Sequence, residues 1–397
     1  MTGHRDATGT VRILLTAQAV RGLGYGLAAV QLGVMLRLGG LSPAQVGLML
    51  GAIVAGSLTS SLVLARWGDR LGRRRAYAAL YGALACCGIV IAAGSPLWLL
   101  AVVAITGALS VEVIESGPFT TLEQVMLAGT GRPQREIVKG FGLYNAIAAI
   151  AGTAGALLGT LPADRLLLGG VLIAVGVVGA GLAAGLPASV EAPAPPPGLA
   201  RPRTLARSRG PVARLATLFA VDSLAGAFVV QAYLGYWLAL RHGATTQTIG
   251  ITFAAIGALQ TASLLAAPFV ANRIGLLRTM VFTHLPSNML LAAVPFAATL
   301  PGAITLLLAR ACLSQMDVPT RQAYVMALVP PEERTAAAAV TNTARYLTRP
   351  AGPALAGLLQ PFGAALPFLI AGTVKSAYDL VLWRIFRHVE LPTGDPS

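Results

Sequence analysis

The sequence has little charge. Only 11% of its 397 residues are Asp, Glu, Lys or Arg, against about a quarter in soluble domains. Hydrophobic residues make up 55%, and the mean hydropathy is +0.72. That composition excludes a water-soluble chain and points to a polytopic membrane protein. Cysteine is scarce: Cys86, Cys87 and Cys312 all lie in apolar runs. They lack the spacing of a metal site or a disulfide framework, so they read as small core hydrophobes, and neither a metal nor a cofactor is expected. The four histidines are His4, His242, His284 and His388. Only His284 falls in an apolar run, near its end, and no nucleophile pattern accompanies it, which argues against an enzyme. No Gly-x-x-x-x-Gly-Lys-Ser/Thr stretch occurs, so a phosphate-binding loop for ATP is absent. The opening "MTGHRDATGTVR" lacks the small-residue cleavage site of a secretory signal. With no extramembrane domain in view, a receptor or scaffold is not the expectation either.

What the chain does have is long apolar runs. Stretches of about 20 residues can span a bilayer. They fall near 13–36, 43–65, 76–93, 97–126, 138–160 and 166–186, then near 214–240, 247–271, 279–300, 302–329, 335–359 and 364–386. Twelve spans are therefore expected. Between the two groups lies "PASVEAPAPPPGLARPRTLARSRGP" (187–211), Pro- and Arg-rich with no apolar periodicity, which reads as a linker. The expected organisation is a six-helix bundle over 1–186, a linker over 187–211 and a second six-helix bundle over 212–397. The net charge of +14 suggests nucleic acid only until its placement is examined. Of the 29 basic residues, Arg37, Arg165 and Arg241 alone fall in the odd-numbered gaps between spans, and the termini and even-numbered gaps hold most of the rest. By the positive-inside rule both termini and the linker are expected on the cytoplasmic side of a cell membrane, the inner membrane of a bacterium, and no nucleic-acid role follows.

The two halves echo each other. "QVGLMLGA" (45–52) aligns with "TIGITFAA" (248–255), and "DRLGRRR" (69–75) with "NRIGLLR" (272–278), both 203 residues apart. Glu123-Gln124 and Arg321-Gln322, Pro133 and Pro331, and Leu157 and Leu355 are each 198 apart. Duplicated halves of this kind place a binding site near the midplane, between the repeats.

Charge inside spans marks function, because it cannot face lipid cheaply. The first span holds Arg21, the fourth Glu112, Glu115 and Glu123, and the seventh Asp222. The tenth holds Arg310, Asp317 and Arg321, the eleventh Arg345 and Arg349, and the twelfth Lys375 and Asp379. The three glutamates share one helical stripe, as do the three charges of the tenth span. Glu112, Glu115, Asp222 and Asp317 are the expected proton-coupling groups, since a carboxylate taken out of water can alternate between protonated and ionised states. Arg21, Tyr25, Asn145, Arg310, Asn342 and Arg345 are the expected lining of a substrate cavity. Glu123 and Arg321, equivalent under the repeat and opposite in sign, are expected to form a gate. Pro118 after Gly117 is expected to kink the fourth span. Lys375 and Asp379, at i and i+4, are expected to satisfy each other.

The most recognisable segment is "WGDRLGRRR" (67–75) in the gap after the second span. It resembles the signature loop of the major facilitator superfamily, Gly-x-x-x-Asp-Arg-x-Gly-Arg-Arg/Lys. Asp69, Arg70, Gly72, Arg73 and Arg74 match, Ala65 replaces the leading glycine, and Asn272, Arg273 and Gly275 form a weaker second copy. The resemblance extends to twelve spans, a central loop and duplicated halves. It implies an all-α membrane protein, with twelve transmembrane helices in two pseudo-symmetric bundles. It also implies that Asp69, Arg70, Gly72 and Arg73 govern switching between inward and outward states, Asp69 facing the start of the eleventh span near Thr335. The superfamily's drug/proton antiporters are a distant likeness only. Their Arg-bearing fourth helix is acidic here, and "AGTAGALLG" (151–159) lacks the Gly-Pro of their fifth. The expected function is secondary active transport of a small molecule by a single chain, coupled to protons and exporting an amphiphilic or cationic compound. The alternative is an organic anion held by Arg21, Arg310 and Arg345.

Overall fold

The computed structural model describes residues 2–110, 117–128, 134–191, 205, 207–330 and 333–389. Glu112 and Glu115 lie outside them, as does the middle of the linker. The described residues are helical throughout and divide into two compact units. One comprises residues 1–197 with 230–258, and the other 198–229 with 259–397.

The first unit begins with α1 (Thr2–Leu38), α2 (Pro43–Leu71) and α3 (Arg73–Ala92). It continues with α4 (Leu97–Ala104), α5 (Pro118–Ala128), α6 (Gln134–Leu158) and α7 (Arg165–Ala184). Ser42 caps α2 reciprocally with Gln45, and Asp164 caps α7 through the Leu166 amide. Such caps satisfy amide groups that the helix itself cannot. Glycine governs the packing. Gly88 of α3 and Gly169 of α7 each abut the other's carbonyl, and between α1 and α6 Gly26 abuts the Gly152 carbonyl and Gly155 the Leu23 carbonyl. Small residues let helix backbones approach where lipid offers no hydrophobic drive for association. The "AGTAGALLG" stretch serves this role.

α8 (Arg209–Gly226) belongs to the second unit, whereas α9 (Gln231–His242) packs on α1 in the first. α10 (Thr246–Ile274) divides its length between the two. The second unit is completed by α11 (Leu276–Ala293), α12 (Leu300–Ala311), α13 (Asp317–Leu328), α14 (Arg334–Thr348), α15 (Ala351–Leu359) and α16 (Leu366–Phe386). Its apolar core joins Val212, Leu215 and Phe219 of α8 to Met280 and Val281 of α11, Tyr324 of α13 and Leu382 of α16.

Four expected spans are not single helices. The run 302–329 breaks over 312–316, ahead of Pro319, and 335–359 breaks at Pro350. Proline supplies no amide hydrogen and crowds the turn before it. The run 214–240 breaks at extended Val230, and 97–126 ends its first helix at Ala104 and resumes at Pro118. Gly117 has a φ of +59°, so Pro118 opens α5, a first-turn position that suits it, and does not kink a continuous helix. Six helical segments among the described residues are long and apolar enough to cross a membrane: Ala7–Leu38, Pro43–Leu64, Arg73–Ala92, Arg165–Ala184, Arg209–His242 and Thr246–Ile274.

The signature segment also differs from a loop. α2 runs through Asp69 and Arg70 to Leu71, Gly72 alone makes the turn at φ +83°, and Arg73 opens α3. The Glu191 carboxylate accepts from the Arg73 amide at 2.7 Å and the Arg74 amide at 3.2 Å. The Asp69 and Thr335 side chains lie outside the described residues.

Candidate substrate and coupling site

In the first unit, one carboxylate is enclosed by donors. Arg21 of α1 grips Glu123 of α5 through both oxygens, at 2.6 and 2.7 Å. Tyr77 of α3 donates to Oε1 and Tyr144 of α6 to Oε2. Arg21 also donates to the Tyr81 hydroxyl at 3.2 Å and to Gln18, and its guanidinium lies 4.6 Å from the Phe119 ring centre. Both charged residues are 0% exposed. A bidentate, fully donated pair of this kind is a strong charge-assisted contact. Arg21 and Glu123 were expected in a cavity lining and in a gate respectively, and the structure gives them to each other. Tyr25 is buried too, its hydroxyl donating to the Ala108 carbonyl at 2.5 Å. Asn145 is partly buried on α6.

The second unit holds a larger buried network drawn from four helices. On α8, Asp222 Oδ1 accepts from Lys375 Nζ of α16 at 2.5 Å. Its Oδ2 stands 3.8 Å from Arg321 Nη1 of α13, and that guanidinium is bonded to Asp317 at 2.8 Å. On α11, His284 Nδ1 lies 2.8 Å from Asp379 Oδ1. Asn288 Nδ2 donates to Asp379 Oδ2 at 2.9 Å. His284 Nε2 points the other way and stands 3.9 Å from Asp222 Oδ1. All seven residues are buried, Asp379 to 1% exposure. Asp222 and Asp317 thus both face the Arg321 guanidinium. Arg321, expected in the gate, takes Asp317 and Asp222 as partners.

Lys375 and Asp379 do not satisfy each other as expected: Lys375 reaches across to α8 and Asp379 to α11. Among the cavity candidates, Arg310 on α12 is partly buried, and its Nε has no hydrogen-bond partner among the described residues. Asn342 is exposed and Arg345 partly buried on α14. Arg70 is exposed, and the Arg73 guanidinium donates to the Val190 carbonyl at 3.2 Å.

Sequence reasoning passed over His284, Asn288 and the three tyrosines. The signal was i,i+4 spacing. His284 and Asn288 share one helix face, as do Tyr77 and Tyr81, and Lys375 and Asp379. Two such polar pairs in apolar helices, each too short of donors or acceptors to be satisfied alone, need each other.

Residues 14–353 match the model of the Major Facilitator Superfamily, which is most of the chain. The chain belongs to the Major Facilitator Superfamily. A curated relative, an uncharacterized membrane protein of Saccharomyces cerevisiae, is 23% identical over 97% of this chain and 95% of its own. The solved nucleoside transporter NupG superposes with a TM-score of 0.72 at 16% identity, covering 95% of this chain and 99% of that one. The xylose transporter XylE of E. coli, in an inward-open conformation, gives 0.71 at 11%, covering 97% of each. At these identities the likeness is one of fold. The chain is thus a multi-pass membrane transporter of the superfamily's fold and not an enzyme.

Proposed function

We propose that this transporter works by alternating access and couples the export of a small amphiphilic or cationic compound to protons. The supporting observation is the buried network of α8, α11, α13 and α16. Ionisable residues are costly inside a membrane and mark ion or proton paths where they persist. Asp317 and Arg321 form a neutral pair at 2.8 Å. Asp222 is paired with Lys375 and Asp379 faces the His284 imidazole, so two carboxylates stand beside one fixed cation and a neutral ring. That set is one positive charge short until a proton arrives. It therefore has a built-in place for a proton and a net preference for positive charge. Asp222 and Asp317 act as coupling groups in this reading, joined by Glu112 and Glu115 of the fourth span. Asn145, Arg310, Asn342 and Arg345 contact substrate. The working unit is one chain of two six-helix halves, over 1–186 and 212–397, with both termini and the linker on the cytoplasmic side of a bacterial inner membrane.

The test is uptake of a compound panel into everted vesicles or proteoliposomes, with and without an imposed pH gradient. Accumulation of a cation that collapses when a protonophore is added is expected. Transport indifferent to the gradient overturns the coupling. A second reading, transport of an organic anion, is favoured by the unsatisfied buried Nε of Arg310. In the same assay it predicts flux of anions in preference to cations.

A further inference from the structure

The network contains one atom for which two cations can compete. Asp222 Oδ1 accepts from Lys375 at 2.5 Å, and the same oxygen faces His284 Nε2 at 3.9 Å. The second distance is beyond a hydrogen bond. The other imidazole nitrogen is already committed. Nδ1 lies 2.8 and 3.1 Å from the two Asp379 oxygens. With Asp379 ionised the carboxylate only accepts, so Nδ1 carries the hydrogen, with Asn288 Nδ2 3.1 Å from the same nitrogen. Asn288 Nδ2, donating to Asp379 at 2.9 Å, holds that carboxylate in place. A second proton on His284 can therefore enter only at Nε2, the nitrogen that faces Asp222. Tyr378 of α16 packs edge-on to the imidazole at 6.1 Å and leaves that direction unchanged.

From this geometry we infer that His284 is the proton-binding residue, and that its protonation displaces Lys375 from Asp222. The inference rests on the proton-coupled reading above. A proton from water adds to Nε2, imidazole becomes imidazolium, and the new N–H closes on Asp222 Oδ1. Lys375 stays an ammonium and gives up that oxygen. The nearest carboxylate on its own helix is Asp379, one turn along at i+4. Charge closes as well. Asp222 and Asp379 against Lys375 leave one negative charge, which the imidazolium neutralises. That closure is counted over Asp222, Asp379, Lys375 and His284 alone; the remaining charged groups near His284 lie on α12 and α13. Asp317 and Arg321 on α13 pair at 2.8 Å, Arg321 also stands 3.8 Å from Asp222 Oδ2, and Arg310 lies on α12. Gly226 supports the exchange sterically, because a Cβ there would stand 3.3 Å from Lys375 Nζ. Loading one proton thus changes which of α11 and α16 is tied to α8. That is the bistable element a coupled transporter requires.

The experiment needs no substrate. Thermal melts of purified protein in detergent are compared for wild type, Lys375→Gln, His284→Gln and the double variant, at about pH 8.5 and about pH 5.5, either side of the ordinary imidazole range. The loss from Lys375→Gln should fall by at least half at the acid pH, where imidazolium takes the lysine's place. In the His284→Gln background the loss should be equal at both. If Lys375→Gln does not fold, Gly226→Ala replaces it, since it crowds the ammonium without removing charge and should give the same pH signature. Equal losses at both pH values in both backgrounds would mean a static, structural histidine and overturn the inference. Gradient-driven flux in His284→Gln equal to that of wild type also overturns it, while leaving proton coupling intact. Gradient-independent flux in wild type instead overturns the coupling, and the melts still decide the exchange.

Discussion

At the scale of single residues, the enclosed pair Arg21–Glu123 behaves differently from an exposed ion pair. Four donors converge on one carboxylate, two from Arg21 and one each from Tyr77 and Tyr144. Removing one member leaves an uncompensated charge in a fully buried site, which costs about 3–5 kcal/mol. Removing both and refilling the volume is far milder, because desolvation had offset most of the attraction. The prediction is that Glu123→Gln or Arg21→Met alone sharply lowers the melting temperature in detergent. The double variant Arg21→Met/Glu123→Leu should recover most of the loss. Additive losses in the double variant would contradict the pairing. Arg21, Glu123, Asp222, Asp317 and Arg321 were all legible as important from charge inside apolar runs. Their partners were not, because pairing depends on helix rotation and neighbour order, which hydropathy does not encode. His284 was set aside as a lone histidine. Its meaning emerges only when α16 brings Asp379 to it.

At the scale of elements, hydropathy marked the apolar runs but not their breaks. A run of apolar residues carries no information on φ and ψ, so 302–329 and 335–359 read as continuous despite Pro319 and Pro350. The close helix contacts were more legible, since glycine at helical spacing has few other uses in a membrane helix. They give a sharp prediction. Gly155 of α6 abuts the Leu23 carbonyl, whereas nothing lies within 4 Å of where a Gly170 Cβ would be on α7. Gly155→Ala should therefore lower thermal stability and expression, as a backbone shift between α1 and α6 is required. Gly170→Ala should be neutral or stabilising, by up to about 1 kcal/mol from helix propensity. Equal melting temperatures for the two variants would show that the α1–α6 contact does not depend on the missing side chain.

At the scale of the whole molecule, a transporter must exchange two states without losing its fold, and the signature segment is placed to matter there. Its chemistry sits in the turn joining α2 to α3: Asp69 and Arg70 end one helix, Gly72 turns at φ +83°, and Arg73 begins the next under the Glu191 carboxylate. That φ lies where only glycine is at ease, and the anion at the helix start is favoured by the helix dipole. We propose that this two-helix corner acts on the exchange between states and not on substrate binding. We predict that Asp69→Asn and Gly72→Ala each slow transport at saturating substrate while leaving KM within about twofold, because losing an interaction made in only one state changes rates between states rather than ground-state binding. Glu191→Gln should act in the same direction, since the amide keeps one acceptor oxygen where the carboxylate offered two to the Arg73 and Arg74 N–H groups and no longer brings a full charge. The measurement is initial-rate transport in proteoliposomes over a range of substrate concentrations, using a compound identified by the panel above. A rise in KM with unchanged maximal rate in Asp69→Asn would move this residue from the switching machinery to the binding path.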